Sequence, residues 1–488
     1  MDLVRLNETV SGIRERRCVR DGAARSLQPR RIASARVEKH SLAGRSDLTR
    51  ESTAAQPSAT IAGRSRRYIL VMLTLVYVIN YLDRNILNIL LPAIKAEFRL
   101  TDADLGFLSG TVFAILYATL GVPLAWLADR ANRRNVIAYS MMLFSLMTTL
   151  SGYAASFGQL VAARIGTGIG EAGTSPSVNS VISDLYAPKE RAGALSFYAA
   201  GLNIGLLIAF AGGGWIEQHF GWRNAFLAAG VPGLVVALLF IFTVPEPTRG
   251  HVEQLTDTGR APSLRESVRY MWRQRSIRFI ALGTALSSFG GYAVTTFISG
   301  FLINLHHLNP QQTGWIVACL FGIVGGSGTF FSGIVADWLG KRDVRWNLNI
   351  VVIAILCALP FFPFYFLAQN LALTLACAIP PTLIGAAYLA PSYAMVQSLV
   401  PLRMRTQAAA ILLFVLNIIG FGTGPYLIGL ESDLLRPSLG AQSIRWALLS
   451  TVTTWFIAAW CFWMATRTLK ADLADSAGTR APLSEVAV

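Results

Sequence analysis

Two ten-residue stretches, Ala125-Trp-Leu-Ala-Asp129-Arg130-Ala-Asn132-Arg133-Arg134 and Gly333-Ile-Val-Ala-Asp337-Trp-Leu-Gly340-Lys341-Arg342, decide how this chain is built. Each closes a long apolar run with a small residue, an Asp four positions on, and a basic pair. The offset that carries Asp129 onto Asp337 also carries Leu100 onto Leu308 and Gly106 onto Gly314 without a gap. The chain is therefore an internal duplication. Two apolar halves that turn at the same charged place form the kind of repeat whose interface lines a path through a bilayer.

Composition agrees with that reading. The 488 residues are 53% hydrophobic and only 14% charged, far from the balance of soluble domains. Runs of roughly 20 apolar residues, enough to cross about 30 Å of hydrocarbon, begin near Tyr68, Asp104, Val136, Leu160, Ala192, Trp222, Phe279, Thr313, Leu348, Leu371, Thr406 and Ile444. The expected fold is an all-α membrane protein with twelve transmembrane helices in two pseudo-symmetric six-helix bundles, residues 67–244 and 279–466. A net charge of +15 would point to nucleic acid in a soluble protein, but here the basic residues sit on alternate loops. Arg130, Arg133 and Arg134, then Lys189 and Arg191, then Lys341 and Arg342, then Arg403 and Arg405 fall on one set, while 156–159 and 368–370 carry no charge. The positive-inside rule makes the basic set cytoplasmic, and an even number of spans puts both termini there. The expected partner is the lipid bilayer, with no nucleic acid.

Three segments lie outside the spans. Residues 1–66 are rich in Arg, Ser and Ala and read as a disordered basic tail, or as sequence upstream of the true start. They hold no signal-peptide core, and their acidic residues do not fit a transit peptide. Residues 245–278 join the halves, with Ser263-Leu-Arg-Glu266 as a capping box ahead of a helix whose apolar face, Leu264, Val268, Met271 and Trp272, is suited to lie on the cytoplasmic membrane surface. Residues 467–488 read as a polar, disordered tail. Four of the five cysteines fall inside apolar runs and read as small core residues rather than a disulfide framework. His306 and His307 have no carboxylate or Cys at ligand spacing, so neither a metal nor a cofactor is expected.

The chemistry is concentrated in the first half. Asp83 and Arg84 interrupt the first span within Asn80-Tyr-Leu-Asp83-Arg84, near mid-depth at 1.5 Å per residue. Arg164 and Glu171 interrupt the fourth, and a separation of nearly two turns puts them on one face with Gly168. A charge at the bilayer centre costs on the order of 3 kcal/mol or more, so the four must be paired or line a wet cavity. Burial favours the neutral form of a carboxyl and a nearby arginine favours the ionised form, a balance suited to taking up and releasing a proton. The competing reading is architectural: Asp83/Arg84 and Arg164/Glu171 as static pairs that lock the bundle. Buried pairs are often replaceable by apolar packing without loss, which weakens that reading. Spans seven to twelve offer only neutral groups at this depth, such as Ser288, Tyr292, Thr295, Tyr388 and Asn417. A cavity with one charged wall and one apolar, hydroxylated wall suits an amphipath. Gly168-Ile-Gly170-Glu-Ala-Gly173 matches a dinucleotide-loop pattern but sits in a membrane helix with no strand before it, and no G-x-x-x-x-G-K-[ST] loop occurs.

These residues resemble the major facilitator superfamily, whose loop motif between spans two and three and its repeat between eight and nine look like the two turns quoted above. The first copy departs from the common pattern with Ala125 and Asn132 in place of Gly. Within that superfamily the chain resembles the Spinster-like group, lipid-associated transporters that include sphingolipid and lysophospholipid exporters. The likeness rests on Asn80-Tyr-Leu-Asp83-Arg84, Arg164-x-Gly166-x-Gly168-x-Gly170-Glu171, Ser175-Pro176, Ile182-Ser-Asp184-Leu185 and Val400-Pro-Leu-Arg403-Met-Arg405, over residues 68 to 466. The resemblance implies proton coupling at Asp83 and Glu171. It makes Arg84, Arg164 and Asn80 their charge partners or the substrate's contact, and Asp129, Arg130, Arg133, Arg134, Asp337, Lys341 and Arg342 a cytoplasmic gate. The expected protein is a monomeric, proton-coupled secondary transporter in a bacterial inner membrane, moving a small amphipathic or lipid-like organic solute. An organic-anion/proton symporter of the same superfamily is the alternative. No nucleophile, base and orienting group converge, so no enzyme is expected.

Overall fold

The structure, a computed structural model, describes residues 63–246, 263–385 and 387–478. The described residues form helices and no strands. Twelve long helical spans follow one another: Gly63–Phe98, 102–130, Arg133–Ser151, 157–185, 188–220 and Trp222–Thr243, then Arg275–His306, 310–340, 346–367, 371–399, 405–439 and Ser443–Gly478. Eight helices are long and apolar enough to cross a membrane, and the bent pair Trp346–Ala358 and Phe361–Leu367 makes a ninth. Spans 11 and 12 run on as one apolar stretch among these eight, Arg405–Ala474. Pro360 stands at the 41° bend of span 9, where the ring removes a helix hydrogen bond.

The duplication is written into the backbone. Span 1 ends on Arg99 (φ 54°) and span 7 on His307 (φ 55°), equivalent positions under the repeat, each in the left-handed conformation that closes a helix. Spans 2 and 8 then open on matching capping boxes, Thr101 with Asp104 and Asn309 with Gln312. Spans 5 and 11 pass into π-helical turns at Ile208 and Leu416, again one repeat apart.

The halves meet closely at the end away from the basic loops. A Cβ on Gly106 would lie 2.2 Å from the Pro425 carbonyl oxygen, and one on Gly314 would lie 2.3 Å from that of Phe210. Only glycine lets span 2 approach span 11, and span 8 approach span 5, at these distances. Asp433 reinforces the first contact, its carboxylate accepting from the main-chain N–H groups of Asp102 (3.0 Å) and Ala103 (2.7 Å). Thr111 donates across to the Gly422 carbonyl at 2.6 Å.

Two expectations change. Residues 467–478 continue span 12 as helix rather than starting a disordered tail. Asp472 explains this, since its carboxylate accepts from the Ser276 N–H at 2.7 Å and caps the start of span 7, while Leu469 is fully buried. The helix Leu264–Arg273 in the connecting segment carries its Ser263/Glu266 capping box, but Met271 turns inward with Ser267, leaving Leu264, Val268 and Trp272 exposed. Residues 1–62, 247–262 and 479–488 lie outside the described residues, and with them most of the expected tails.

Candidate functional site

Spans 1, 3 and 4 bring the interior charges together. Asp83, Arg84, Arg164 and Glu171 are each at most 9% exposed. Their pairing differs from the static scheme. Arg84 reaches across to Glu171, Nη1 to Oε1 at 3.4 Å, while Arg164 donates to the main-chain carbonyls of Asp83 (3.4 Å) and Arg84 (3.3 Å). Asp83 turns the other way and accepts from the Ser145 hydroxyl of span 3 at 3.1 Å. Neither pair of the competing static reading, Asp83/Arg84 or Arg164/Glu171, forms. Adjacent residues on a helix point about 100° apart, so Asp83 and Arg84 cannot share a partner surface. Asn80, one turn before Arg84, is buried beside Glu171.

Arg84 is the pivot of the group. Its guanidinium carbon lies 4.7 Å from the Phe113 ring and 5.9 Å from that of Tyr117, both in span 2. From the second half, Phe421 and Tyr292 stand at 4.4 Å and 5.9 Å. Such rings hold a desolvated cation with about 2 kcal/mol. Nη2 of Arg84 is buried without a hydrogen-bond partner, as are Nε of Arg164 and Oδ1 of Asp83. A buried charged donor without a protein acceptor is costly, and the rings of Phe113 and Phe421 offset part of that cost for Arg84.

A cavity of about 250 Å³ opens beside this pivot. Arg84 is its only charged lining residue among those described. Asn85, Asn88 and Asn203 add amides, and Ser288, Tyr292, Thr295 and Tyr388 face them from the second half. Phe421, Tyr365 and Trp455 supply aromatic surface. Glu171, Asp83 and Arg164 stand behind this wall rather than in it. The amides were missed from sequence, although Tyr81, Arg84, Asn85 and Asn88 follow helical spacing and so marked one face of span 1. Trp455 and Phe421 carried no comparable signal.

The basic turns are less alike than their sequences. Arg133 is buried, paired with Asp184 and, at 3.4 Å, with Glu246, and donates to Ser180 at 2.8 Å. Glu246 also accepts from the Arg134 N–H at 2.8 Å. Asn132, where the common pattern has Gly, is the N-cap of span 3, accepting from Asn135 N–H, which accounts for the departure. In the second turn Lys341 and Arg342 are exposed, with Arg342 over the Trp338 ring. Asp343 pairs with Lys470 at 2.7 Å, and that ammonium, with the Arg345 N–H, holds its carboxyl below the usual range. The side chains of Asp129, Arg130 and Asp337 lie outside the described residues.

The chain matches the Major Facilitator Superfamily model over residues 73–425. It is 33% identical to an MFS-type efflux pump of Mycolicibacterium smegmatis over 83% of this chain and 94% of the relative. It is 27% identical to the sphingosine-1-phosphate transporter SPNS2 of Xenopus tropicalis, covering 76% and 75% of the two chains. Among solved structures, a bacterial homolog of the human lysosomal transporter Spinster, inward-facing and unoccupied, superposes with a TM-score of 0.77 at 29% identity, over 84% of this chain and 99% of that one. A duplicated set of helical spans, a polar pivot in span 1 beside a central cavity, and these likenesses make this integral, multi-pass membrane chain a member of the major facilitator superfamily, in its Spinster-like group.

Proposed function

We propose that the protein is a proton-coupled secondary transporter that moves an amphipathic or lipid-like organic solute with an anionic group by alternating access. The observation that carries this reading is Arg84: the only charge on the wall of the central cavity among the described residues, caged by aromatic rings, with one side of its guanidinium on Glu171 and the other unpartnered. An anionic ligand takes the free Nη2 and competes with Glu171 for the rest. A proton on Glu171 ends that competition, so proton and anion favour one another on the same site. Asp83, held apart on Ser145, is the second titrating group, and Arg164 keeps the backbone of span 1 in place between them.

The bundles 67–244 and 279–466 are the moving units, joined by 245–278, with both termini on the cytoplasmic side of a bacterial inner membrane and one chain sufficient for transport. The relative named for sphingosine-1-phosphate supports a phosphorylated amphipath. The amides Asn85, Asn88 and Asn203 in the wall favour the second reading, a more polar organic anion. Proteoliposomes under an imposed pH gradient test both: radiolabelled lysophospholipids, sphingoid phosphates and short organic acids are offered in turn. Accumulation of a tailed anion supports the first reading and of a short acid the second. Equal equilibration of all of them with and without the gradient refutes proton coupling.

A further inference from the structure

A second and larger cavity, of about 830 Å³, lies at the end of the molecule away from the basic loops, between the last turns of span 1, the start of span 2, span 7 and the connection from span 11 to 12. Its charged lining consists of Lys95, Arg99, Arg436 and Asp102, three cations against one carboxylate, with Asn304 and Ser443 as neutral polar groups. Asp102 is fully engaged. Lys95 pairs with its Oδ1, while Ser432 at 2.8 Å and Arg436 at 2.7 Å donate to Oδ2. The carboxylate side chain is 6% exposed and that of Arg436 is 46% exposed, so the cations keep open faces toward the cavity after meeting Asp102. Arg99 adds a charge that no carboxylate in the lining balances. It occupies a left-handed helix end, where glycine is the ordinary residue, so the backbone does not call for arginine there.

An excess of guanidinium and ammonium groups in a concave site recognises carboxylate or phosphate. We propose that this outer cavity is a second binding site, for the phosphate or carboxylate group of a soluble anion or of an amphipath. Leu91, Pro92, Phe297 and Ile444 in the same wall give an attached chain an apolar surface. The site is distinct from the central cavity. Lys95 and Arg84 are about 16 Å apart along span 1 at 1.5 Å per residue, too far for one anionic group to touch both.

Calorimetric titration of the full chain in nanodiscs, in phosphate-free buffer, with inorganic phosphate and with hexyl phosphate tests this. The titration is run in an Arg84→Gln background, which removes the central cation. Binding of at least one probe is expected to persist there, and to weaken at least tenfold in the Lys95→Gln/Arg436→Gln double variant. Arg99→Gly serves as the second arm: it removes a cation while relieving the backbone and leaves every partner of Asp102 in place, so weaker binding in that variant does not come from misfolding. Binding of hexyl phosphate alone assigns the site to amphipath headgroups, and equal binding of both assigns it to free anions. Loss of all binding on Arg84→Gln alone, or binding that neither outer variant moves, overturns the proposal.

Discussion

Replacing Glu171 with Gln keeps the shape of the site and removes one charge. In the wild-type protein an incoming anion must share Arg84 with a carboxylate oxygen 3.4 Å from Nη1. A hydrogen bond to a charged group is worth about 1.5–3 kcal/mol net. Relieving the competition should therefore tighten binding of an anionic substrate by about ten- to a hundredfold, at 1.4 kcal/mol per tenfold. The sign with pH follows from the same competition. Wild-type affinity rises as pH falls, because protonating Glu171 frees the guanidinium, whereas the Gln variant binds tightly with no such dependence. Driven accumulation should be lost in the variant, since no proton is left to release at this position. Equilibrium binding across pH, followed by flux in proteoliposomes under a pH gradient, reads both effects. A Gln variant that still concentrates substrate, or whose affinity keeps the wild-type pH slope, would refute the coupling role and leave Arg84–Glu171 as a structural pair.

Gly106→Ala places a methyl group 2.2 Å from the Pro425 oxygen; overpacking costs about 1–3 kcal/mol, and labelling of a cysteine at Thr295 from the side away from the basic loops should rise, with Gly314→Ala acting alike. Phe421→Ala removes the ring nearest the Arg84 guanidinium carbon, at 4.4 Å, and should weaken substrate binding several-fold at the roughly 0.5–2 kcal/mol scale of a cation–π contact, while Phe421→Tyr should not. Asp472→Ala strips the cap from Ser276 N–H and should cost about 1 kcal/mol, read as a lower thermal unfolding midpoint. Trp272, 71% exposed on the connecting helix, should be quenched by brominated lipids in a protein stripped of its other tryptophans; quenching by aqueous iodide alone would place that helix in solvent.

Much of the architecture was legible because it follows from local pattern. Apolar run length marked the spans, and the recurrence of Asp129 at Asp337 marked the duplication, which the left-handed ends at Arg99 and His307 repeat residue for residue. The interior charges were legible because Asp83, Arg84, Arg164 and Glu171 are conspicuous in hydrocarbon. Their pairing was not, because it depends on how spans 1, 3 and 4 rotate against one another, and sequence spacing relates residues only within a span. Ser145 illustrates this: nothing near it in sequence marks it as the partner of Asp83. Phe421, which closes the cage around Arg84 from the other half, was hidden for the same reason. The helical end of the chain at 467–478 was misread because its polar composition resembles a tail, whereas Asp472 and Leu469 are used against span 7 and the core.

The duplication is symmetric in backbone and asymmetric in charge, and the asymmetry bears on coupling. Under the repeat, Asp83 and Arg84 correspond to Gly291 and Tyr292, and Arg164 and Glu171 to Ala372 and Ile379. The ion pair thus lies within one half, between spans 1 and 4, so rocking of one half against the other need not break it. Under the proposed mechanism a proton or a competing anion is what changes its state. The contacts that rocking would change are those Arg84 makes with the rings of Tyr292 and Phe421 in the other half. A contact answering to chemistry and contacts answering to conformation meet on one guanidinium. Under the proposed mechanism the occupancy of the pair biases which conformation is favoured, because a ligand or proton shifts an equilibrium only through its differential affinity for the two states. Had the charges been shared across the halves, each turnover would have had to break a buried pair, at about 3–5 kcal/mol, before any ligand could move.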